Sequence, residues 1–254
     1  MHFGAPASSV VDIENLRSMR FDFAEIIVPN ATARRVWWES GISNTFADGF
    51  FLIVHGPPVE ELYDDIRHLR NHYLPALLAT IDTASRLQIK LLTIHLLMDS
   101  RYVSGLVLAE KRRALKELVD YGLKSGVTVC LENLSESADD LEAVTDSVPH
   151  LGLTLDVAHA QLSTTANRSF EILGKLGHAI RHVHLSDNRG GDVFNDDLHL
   201  PIGNGIVDFP TILGALVHSG YCGTVSLELK PQHLLESRNR IQKMIDDIAR
   251  MSPG

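Results

Sequence analysis

The sequence holds little cysteine, with two residues in 254. Cys130 falls in an apolar run and Cys222 beside another. That spacing excludes a disulfide framework and predicts buried thiols in a reducing compartment. An excess of basic charge is also missing. The 23 Lys and Arg face 32 Asp and Glu, a formal net charge of −9 with His neutral. Such a balance disfavours broad electrostatic binding to DNA or to an anionic membrane. No apolar run approaches the ~18 residues of a membrane span. The start, MHFGAPASSV, lacks a basic segment followed by a long apolar stretch, so no signal peptide is expected. We find no linker, no repeat of solenoid period and no low-complexity tract. The expected setting is the cytoplasm, away from membranes.

What is present is a repeated pattern. Six apolar runs each end in a side chain able to bind a metal: FLIVH at His55, LLTIH at His95, VTVCLE at Glu132, LGLTLD at Asp156, IRHVH at His184 and TVSLE at Glu228. Side chains alternate faces along a strand. Thr128, Cys130 and Glu132 therefore share one face, as do Gly152, Thr154 and Asp156, and also Thr224, Ser226 and Glu228. Leu91, Thr93 and His95 share a face in the same way. The apolar face should pack on helices, and the smaller, more polar face should line an interior. In FLIVH the face of His55 also carries Phe51 and Ile53, a less polar set. His182 shares the face of His184 one layer lower and reads as an interior, hydrogen-bonded histidine.

Strand-like and helix-like segments alternate along the chain, as in a parallel sheet built of βαβ units. The strands are expected at 2–5, 24–28, 50–55, 91–95, 127–132, 151–156, 180–185 and 224–229, of which the first two are weakest. Helices are expected at 11–19, from Leu62 through Pro75 to about Leu87, before Gly126, at 139–148, 169–176, after Asp208, and from about His233 to Arg250. Residues 30–44 carry no clear assignment. The polar segment 186–207 reads as one long loop. With 44% hydrophobic residues the chain can bury one large core. Its length is close to the ~250 residues of a closed barrel. The expectation is an α/β protein, a single (β/α)₈ TIM barrel, with residues 1–254 forming one domain.

Barrel enzymes build their sites at the C-terminal ends of the strands. The six terminal residues would meet there, and three more join them. His159 follows Asp156 by three in DVAH. Asp197 and His199 form a D-x-H pair, and in extended chain both side chains would face one side. The nine metal candidates are His55, His95, Glu132, Asp156, His159, His184, Asp197, His199 and Glu228. One ion takes four to six ligands, so nine suggest more than one ion with bridging carboxylates. Five imidazoles favour zinc, allow manganese or cobalt, and disfavour magnesium or calcium. A single His at a strand end is usually a satisfied hydrogen-bonding residue; six strands ending alike make the metal reading the stronger one. Gly203-Asn204-Gly205 lacks the strand, helix and lysine of a phosphate loop.

These segments resemble the xylose isomerase-like TIM barrels, which include sugar isomerases and epimerases and the endonuclease IV enzymes (AP endonuclease family 2). The resemblance rests on HGP at 55–57, LEN at 131–133, LDVAH at 155–159, HVHLSD at 182–187, DLHLPIGNG at 197–205 and LEL at 227–229. In the sugar branch it implies one metal at Glu132, Asp156, His184 and Glu228, with the two glutamates moving protons. In the endonuclease IV branch it implies three zinc ions on all nine residues. Pro58 stands where endonuclease IV enzymes often carry tyrosine, and GNG stands where GEG is usual.

Two enzymatic readings follow. The first is a metal-dependent sugar or sugar-phosphate isomerase or epimerase, holding one to three divalent ions. Glu132 and Glu228 would be catalytic, with His159 catalytic or holding a sugar hydroxyl. Arg189, five residues past His184, would anchor a substrate phosphate or carboxylate. The second is a zinc phosphodiesterase acting at abasic sites, whose partner would be DNA. It needs an electropositive surface. The one local basic and aromatic cluster is Arg34, Arg35, Trp37 and Trp38, which reads equally as a substrate lid or a subunit contact in a homo-oligomer. A third reading, a sugar- or metal-binding barrel without turnover, is disfavoured by the full set of carboxylates.

Overall fold

The computed structural model describes residues 1–58, 65–192 and 194–251. Eight parallel strands close into a barrel in chain order: β1 (His2–Ala7), β2 (Phe23–Ile27), β3 (Phe51–His55), β4 (Leu91–Ile94), β5 (Thr128–Glu132), β6 (Gly152–Asp156), β7 (Ile180–Leu185) and β8 (Thr224–Leu227). β8 pairs back onto β1. The outer layer holds α1 (Val10–Ser18), α2 (Ala31–Glu39), α3 (Ile66–His68), α4 (Leu74–Arg86), α5 (Gly105–Ser125), α6 (Ala138–Ser147), α7 (Ser169–Leu176), α8 (Phe209–His218) and α9 (Leu234–Met251). The structure is thus a (β/α)₈ barrel. Among the described residues no helix is long and apolar enough to cross a membrane.

The alternation along each strand sorts the side chains. Leu153, Leu155, Val183, Leu185, Val225 and Leu227 are 1% exposed or less and pack with the helices in one core. Each contributes about 1.5–3 kcal/mol by leaving water. Phe23 and Ile53 are also buried but lie apart from that core, inside the barrel. At the N-terminal end of the interior, Phe23 and Phe51 stack with centroids 5.3 Å apart. Gly4 lies beside them, and an added Cβ would come 2.3 Å from the Phe23 ring. One layer up, Thr93 and Thr154 share a hydrogen bond of 2.8 Å between their hydroxyls. The pairing of β6 with β7 shifts between Leu153 and Thr154, so that Ile180 and His182 are partners of adjacent residues. This irregularity leaves Arg181 exposed and keeps His182 and His184 inside.

Several expectations change in detail. Residues 30–44, unassigned from the sequence, contain α2, whose start is capped by Asn30 Oδ1 accepting from the Ala33 amide at 3.0 Å. Its signal was masked because the inward position, Trp37, is flanked by exposed Val36 and Trp38. Leu62, placed at the start of the third helical stretch, lies outside the described residues. Pro75 does not break that stretch: it falls in the first turn of α4, after a π-helical turn at Leu69–Tyr73. A wider turn accommodates the missing proline donor. Cys130 is buried, and burial pushes its thiol up to about 12. Cys222, expected to be buried as well, is exposed, because it lies before β8.

Candidate metal centre

All nine candidate residues meet in one connected cluster at the C-terminal mouth of the barrel. Glu132, at the end of β5, is its hub. Its Oε2 lies 3.3 Å from His55 Nε2, 3.0 Å from His95 Nε2 and 3.4 Å from His184 Nδ1. Its Oε1 lies 3.2 Å from His159 Nδ1. His184 Nδ1 is 3.8 Å from Asp156 Oδ2 and 3.4 Å from Glu228 Oε1. Asp197 Oδ2 links His159 Nε2 at 3.3 Å to His199 Nε2 at 3.0 Å. His199 Nδ1 closes the circuit, 3.7 Å from Glu228 Oε2. Three overlapping trios, His55/Glu132/His184, Glu132/Asp156/His159 and Asp156/His184/Glu228, each hold donor atoms within 4.8 Å of one another.

Backbone groups fix how these rings point. The Nδ1 of His55 faces the Gly56 carbonyl at 3.0 Å, and that of His199 faces the Glu228 carbonyl at 3.2 Å. With Nδ1–H donating, each Nε2 faces the cluster, where an ion can replace its proton. Asn133 clips the ends of β5 and β6 together. It donates to the Asp156 carbonyl at 2.9 Å and accepts from the Asp156 amide at 2.8 Å. Tyr73 Oη reaches the carbonyls of Pro57 at 3.1 Å and His95 at 2.6 Å, bracing the segments after β3 and β4. His159 sits in a 3₁₀ turn (His159–Gln161) just beyond β6, its amide donating to Asp156 Oδ1 at 2.6 Å.

The Asp197–His199 pair arrives differently from expectation. The segment is not simply extended: His199 has φ +44°, a left-handed conformation. Nor is the 186–207 loop free of structure. Asp187 pairs with Leu200 as an antiparallel bridge. Its carboxylate also accepts from the amides of Gly203 at 2.9 Å, Gly205 at 2.8 Å and Val207 at 3.1 Å. An added Cβ at Gly205 would sit 2.0 Å from the Asn188 carbonyl oxygen. The glycine segment therefore wraps a buried carboxylate, and it holds His199 against the mouth.

The electrostatics of the cluster are one-sided. Histidines are the ion-pair partners of Glu132, Asp156, Asp197 and Glu228. Burial raises the carboxyls of Asp156 and Glu228. Burial would raise Glu132 too, but the surrounding imidazoles hold it well below the usual carboxylate range. Burial would lower His55, yet its hydrogen bond to Glu132 wins and raises it to about 9. His199 is raised to about 9 by its bond to Asp197. Asp156 Oδ2, His184 Nδ1 and Asp197 Oδ1 are buried with no hydrogen-bond partner. Such orphaned groups cost about 1–3 kcal/mol each. Asp156 Oδ2 and His184 Nδ1 lie 3.8 Å apart, a cation of charge two between them would satisfy both, and the donor set around them fits one.

Sequence reasoning missed Glu25. It lies in β2, is fully buried, and meets His182 Nε2 at 3.3 Å and His184 Nε2 at 3.2 Å. Burial would raise its carboxyl, but the two histidines hold it well below the usual range. The parity rule could have found it: Phe23 and Glu25 share a face as Phe51, Ile53 and His55 do. His182 is the interior residue expected, with Nδ1 2.7 Å from Thr224 Oγ1. Arg189 is exposed on the loop after β7. Arg34, Arg35 and Trp38 lie on α2. They line a groove of ≈ 540 Å³ in the outer layer, where Arg86 of α4 stacks 3.5 Å from the Trp38 ring. Trp37 turns into the core and donates to the Ile27 carbonyl at 3.0 Å.

Fold and sequence agree on the family. Residues 13–251 match the xylose isomerase-like TIM barrel family, and the chain belongs to it. The chain is 34% identical over 145 residues to the uncharacterized protein MJ1311 of Methanocaldococcus jannaschii, covering 52% of this chain and 46% of that one. It is 30% identical over 127 residues to L-ribulose-5-phosphate 3-epimerase UlaE of Salmonella paratyphi C, covering 46% of this chain and 42% of the relative. The match thus spans less than half the length of these curated relatives. A D-tagatose 3-epimerase-like protein of known structure superposes with a TM-score of 0.80 at 23% identity, covering 99% of both chains. The IOLI protein with a binding zinc atom superposes with a TM-score of 0.72 at 16% identity, covering 98% of both. At these identities the structural likeness is one of fold.

Proposed function

We infer that this chain is a divalent-metal-dependent isomerase or epimerase of a sugar or sugar phosphate, with residues 1–254 as one barrel domain. One arrangement carries the reading. Glu132 and Glu228 come from strands three places apart in the barrel, and each lies 3.4 Å from His184 Nδ1. Two carboxylates thus face one small volume from different sides. Glu132, Asp156, His184 and Glu228 would hold the ion; one imidazole with three carboxylates suits manganese or cobalt as well as zinc. The bound ion supplies Lewis acidity beside the sugar carbonyl, making the neighbouring carbon acid. One glutamate takes the proton from that carbon, and the other returns a proton at a different face or position. His159, fixed by Asn133, would hold a sugar hydroxyl. Arg189 would anchor a phosphate or carboxylate of the substrate. The epimerase named among the relatives supports this substrate class.

A second reading, a zinc phosphodiesterase acting at abasic DNA, is favoured by one observation: all nine residues are joined, more than a single ion requires. Against it, the net charge is −9, and the arginine-lined groove lies in the outer helix layer. Metal content per chain, followed by two assays on the loaded protein, separates the readings. We expect one tightly held ion and turnover of a ketose or ketose phosphate that a chelator abolishes. Three zinc ions with chelator-sensitive nicking of abasic DNA would replace this reading with the second.

A further inference from the structure

Beneath the mouth, one buried carboxylate touches the cluster without belonging to its rim. Glu25 is reached from across the barrel, 159 residues from His184 in sequence. Its Oε1 lies 3.2 Å from His184 Nε2. Its Oε2 lies 3.3 Å from His182 Nε2 and accepts from Ser226 Oγ at 2.5 Å. Glu25, His182, His184 and Ser226 are all 0% exposed. His182 is itself tied down at Nδ1 by Thr224, whose hydroxyl lies at 2.7 Å and whose carbonyl lies at 3.0 Å; accepting the hydroxyl proton leaves its own proton on Nε2. Its Nε2–H then donates to Glu25. The Glu25 carboxylate is an acceptor only, so the bond from His184 places that ring's proton on Nε2. That leaves Nδ1 of His184 as the nitrogen an ion can take, displacing any proton it carries. That atom is buried without a hydrogen-bond partner and sits among Glu132, Asp156 and Glu228.

We propose that Glu25 is the positioning residue of the metal centre: its carboxylate fixes the tautomer and tilt of His184 so that Nδ1 is presented to the ion. This rests on the metal-dependent reading above. Glu25, His182 and His184 also lie close enough together to hold an ion themselves. Two features favour the positioning role over that one. The Glu25 oxygens are already engaged by a hydroxyl and two rings, and the open nitrogen of His184 points the other way, to the rim. An orienting carboxylate behind a metal-bound histidine is worth about 10- to 100-fold in metal affinity.

Zinc affinity of the wild type, Glu25→Gln, Ser226→Ala and Ile212→Val, measured by competition with a chromogenic chelator, tests the proposal. Glu25→Gln keeps shape but loses charge, and should weaken zinc about 10- to 100-fold while changing the visible spectrum of the cobalt-loaded protein. Ser226→Ala should weaken zinc less, in the same direction. Ile212→Val loosens the helix side of the barrel and should leave zinc affinity unchanged. If Glu25→Gln does not fold, the wild type alone decides. Nitrogen chemical shifts of His184 should show a protonated Nε2 before and after zinc loading, with zinc on Nδ1. Zinc on Nε2, or wild-type affinity in Glu25→Gln, overturns the positioning role. A wild type that binds no zinc, cobalt or manganese overturns the metal reading itself.

Discussion

The two ends of the barrel interior use the same strands and the same alternation, yet their chemistry is opposite. At the N-terminal end Phe23 and Phe51 stack, with His2 edge-on to Phe51 at 5.8 Å. At the C-terminal mouth, four carboxylates and five imidazoles crowd together. The aromatic end contributes stability, because its surfaces lose water and gain contacts. The charged end gives stability away, because buried carboxylates without a cation are costly. The difference teaches that the folding free energy of the first end can hold the second in a geometry it would not keep alone. Glu25 sits between the two, buried like the floor and ionisable like the mouth.

The largest effect should come from the hub. Glu132→Gln removes a proton carrier and the contact shared by four histidines. Turnover should fall by at least about 10³-fold, while the circular dichroism of the variant still shows the folded barrel. A variant that keeps its rate would detach Glu132 from the chemistry. Next is the floor. Phe23→Ala should cost about 3–5 kcal/mol in urea denaturation, since Phe23 is fully buried. Below its melting point it should still bind metal in the wild-type ratio. Loss of metal from the folded variant would mean that floor and mouth are not separable.

A pH series sharpens the contrast. In the metal-free protein His55 and His199 are raised from 6.5 to about 9. Groups raised by folding stabilise fully below their unfolded value and lose that contribution as pH climbs through the folded one. The urea midpoint of the metal-free protein should therefore fall between pH 7 and about 9.5, whereas the zinc-loaded protein, with an ion in place of those protons, should fall less. Equal slopes would show that the ion does not take over the carboxylates that raise the two histidines. Smaller still, Arg189→Ala should raise KM for a phosphorylated substrate about tenfold with kcat unchanged. A fall in kcat at constant KM would remove Arg189 from substrate anchoring. Last, iodoacetamide should modify Cys222 in the native protein and spare Cys130, which is buried with a thiol pushed up to about 12.

How much of this was legible depended on distance along the chain. The six strand-end residues were visible because a run of Val, Ile and Leu ending in His, Asp or Glu is a local pattern of period two. The inward set on β5, β6 and β8 followed from the same counting. His159 was reachable because it lies only three residues past Asp156. For Glu25 the same counting offers an inward face but no role, because PheAlaGluIleIle carries its acid in mid-strand and nothing nearby announces partners 157 and 159 residues away. Asp187 was hidden for the same reason, as its role is to collect amides 16 to 20 residues downstream.

By itself, then, the order of apolar and polar residues determined that strands and helices alternate, which side chains face inward, and which strand ends carry residues able to bind a metal. Those are consequences of backbone periodicity, and a linear string records periodicity. Closure of the barrel alone decided that Glu25 would stand behind His184, that Asp197 would join His159 to His199, and which nitrogen of each ring would be left bare. These depend on distances between strands that are remote in sequence, and such distances exist only once packing and hydrogen bonding have brought the strands together.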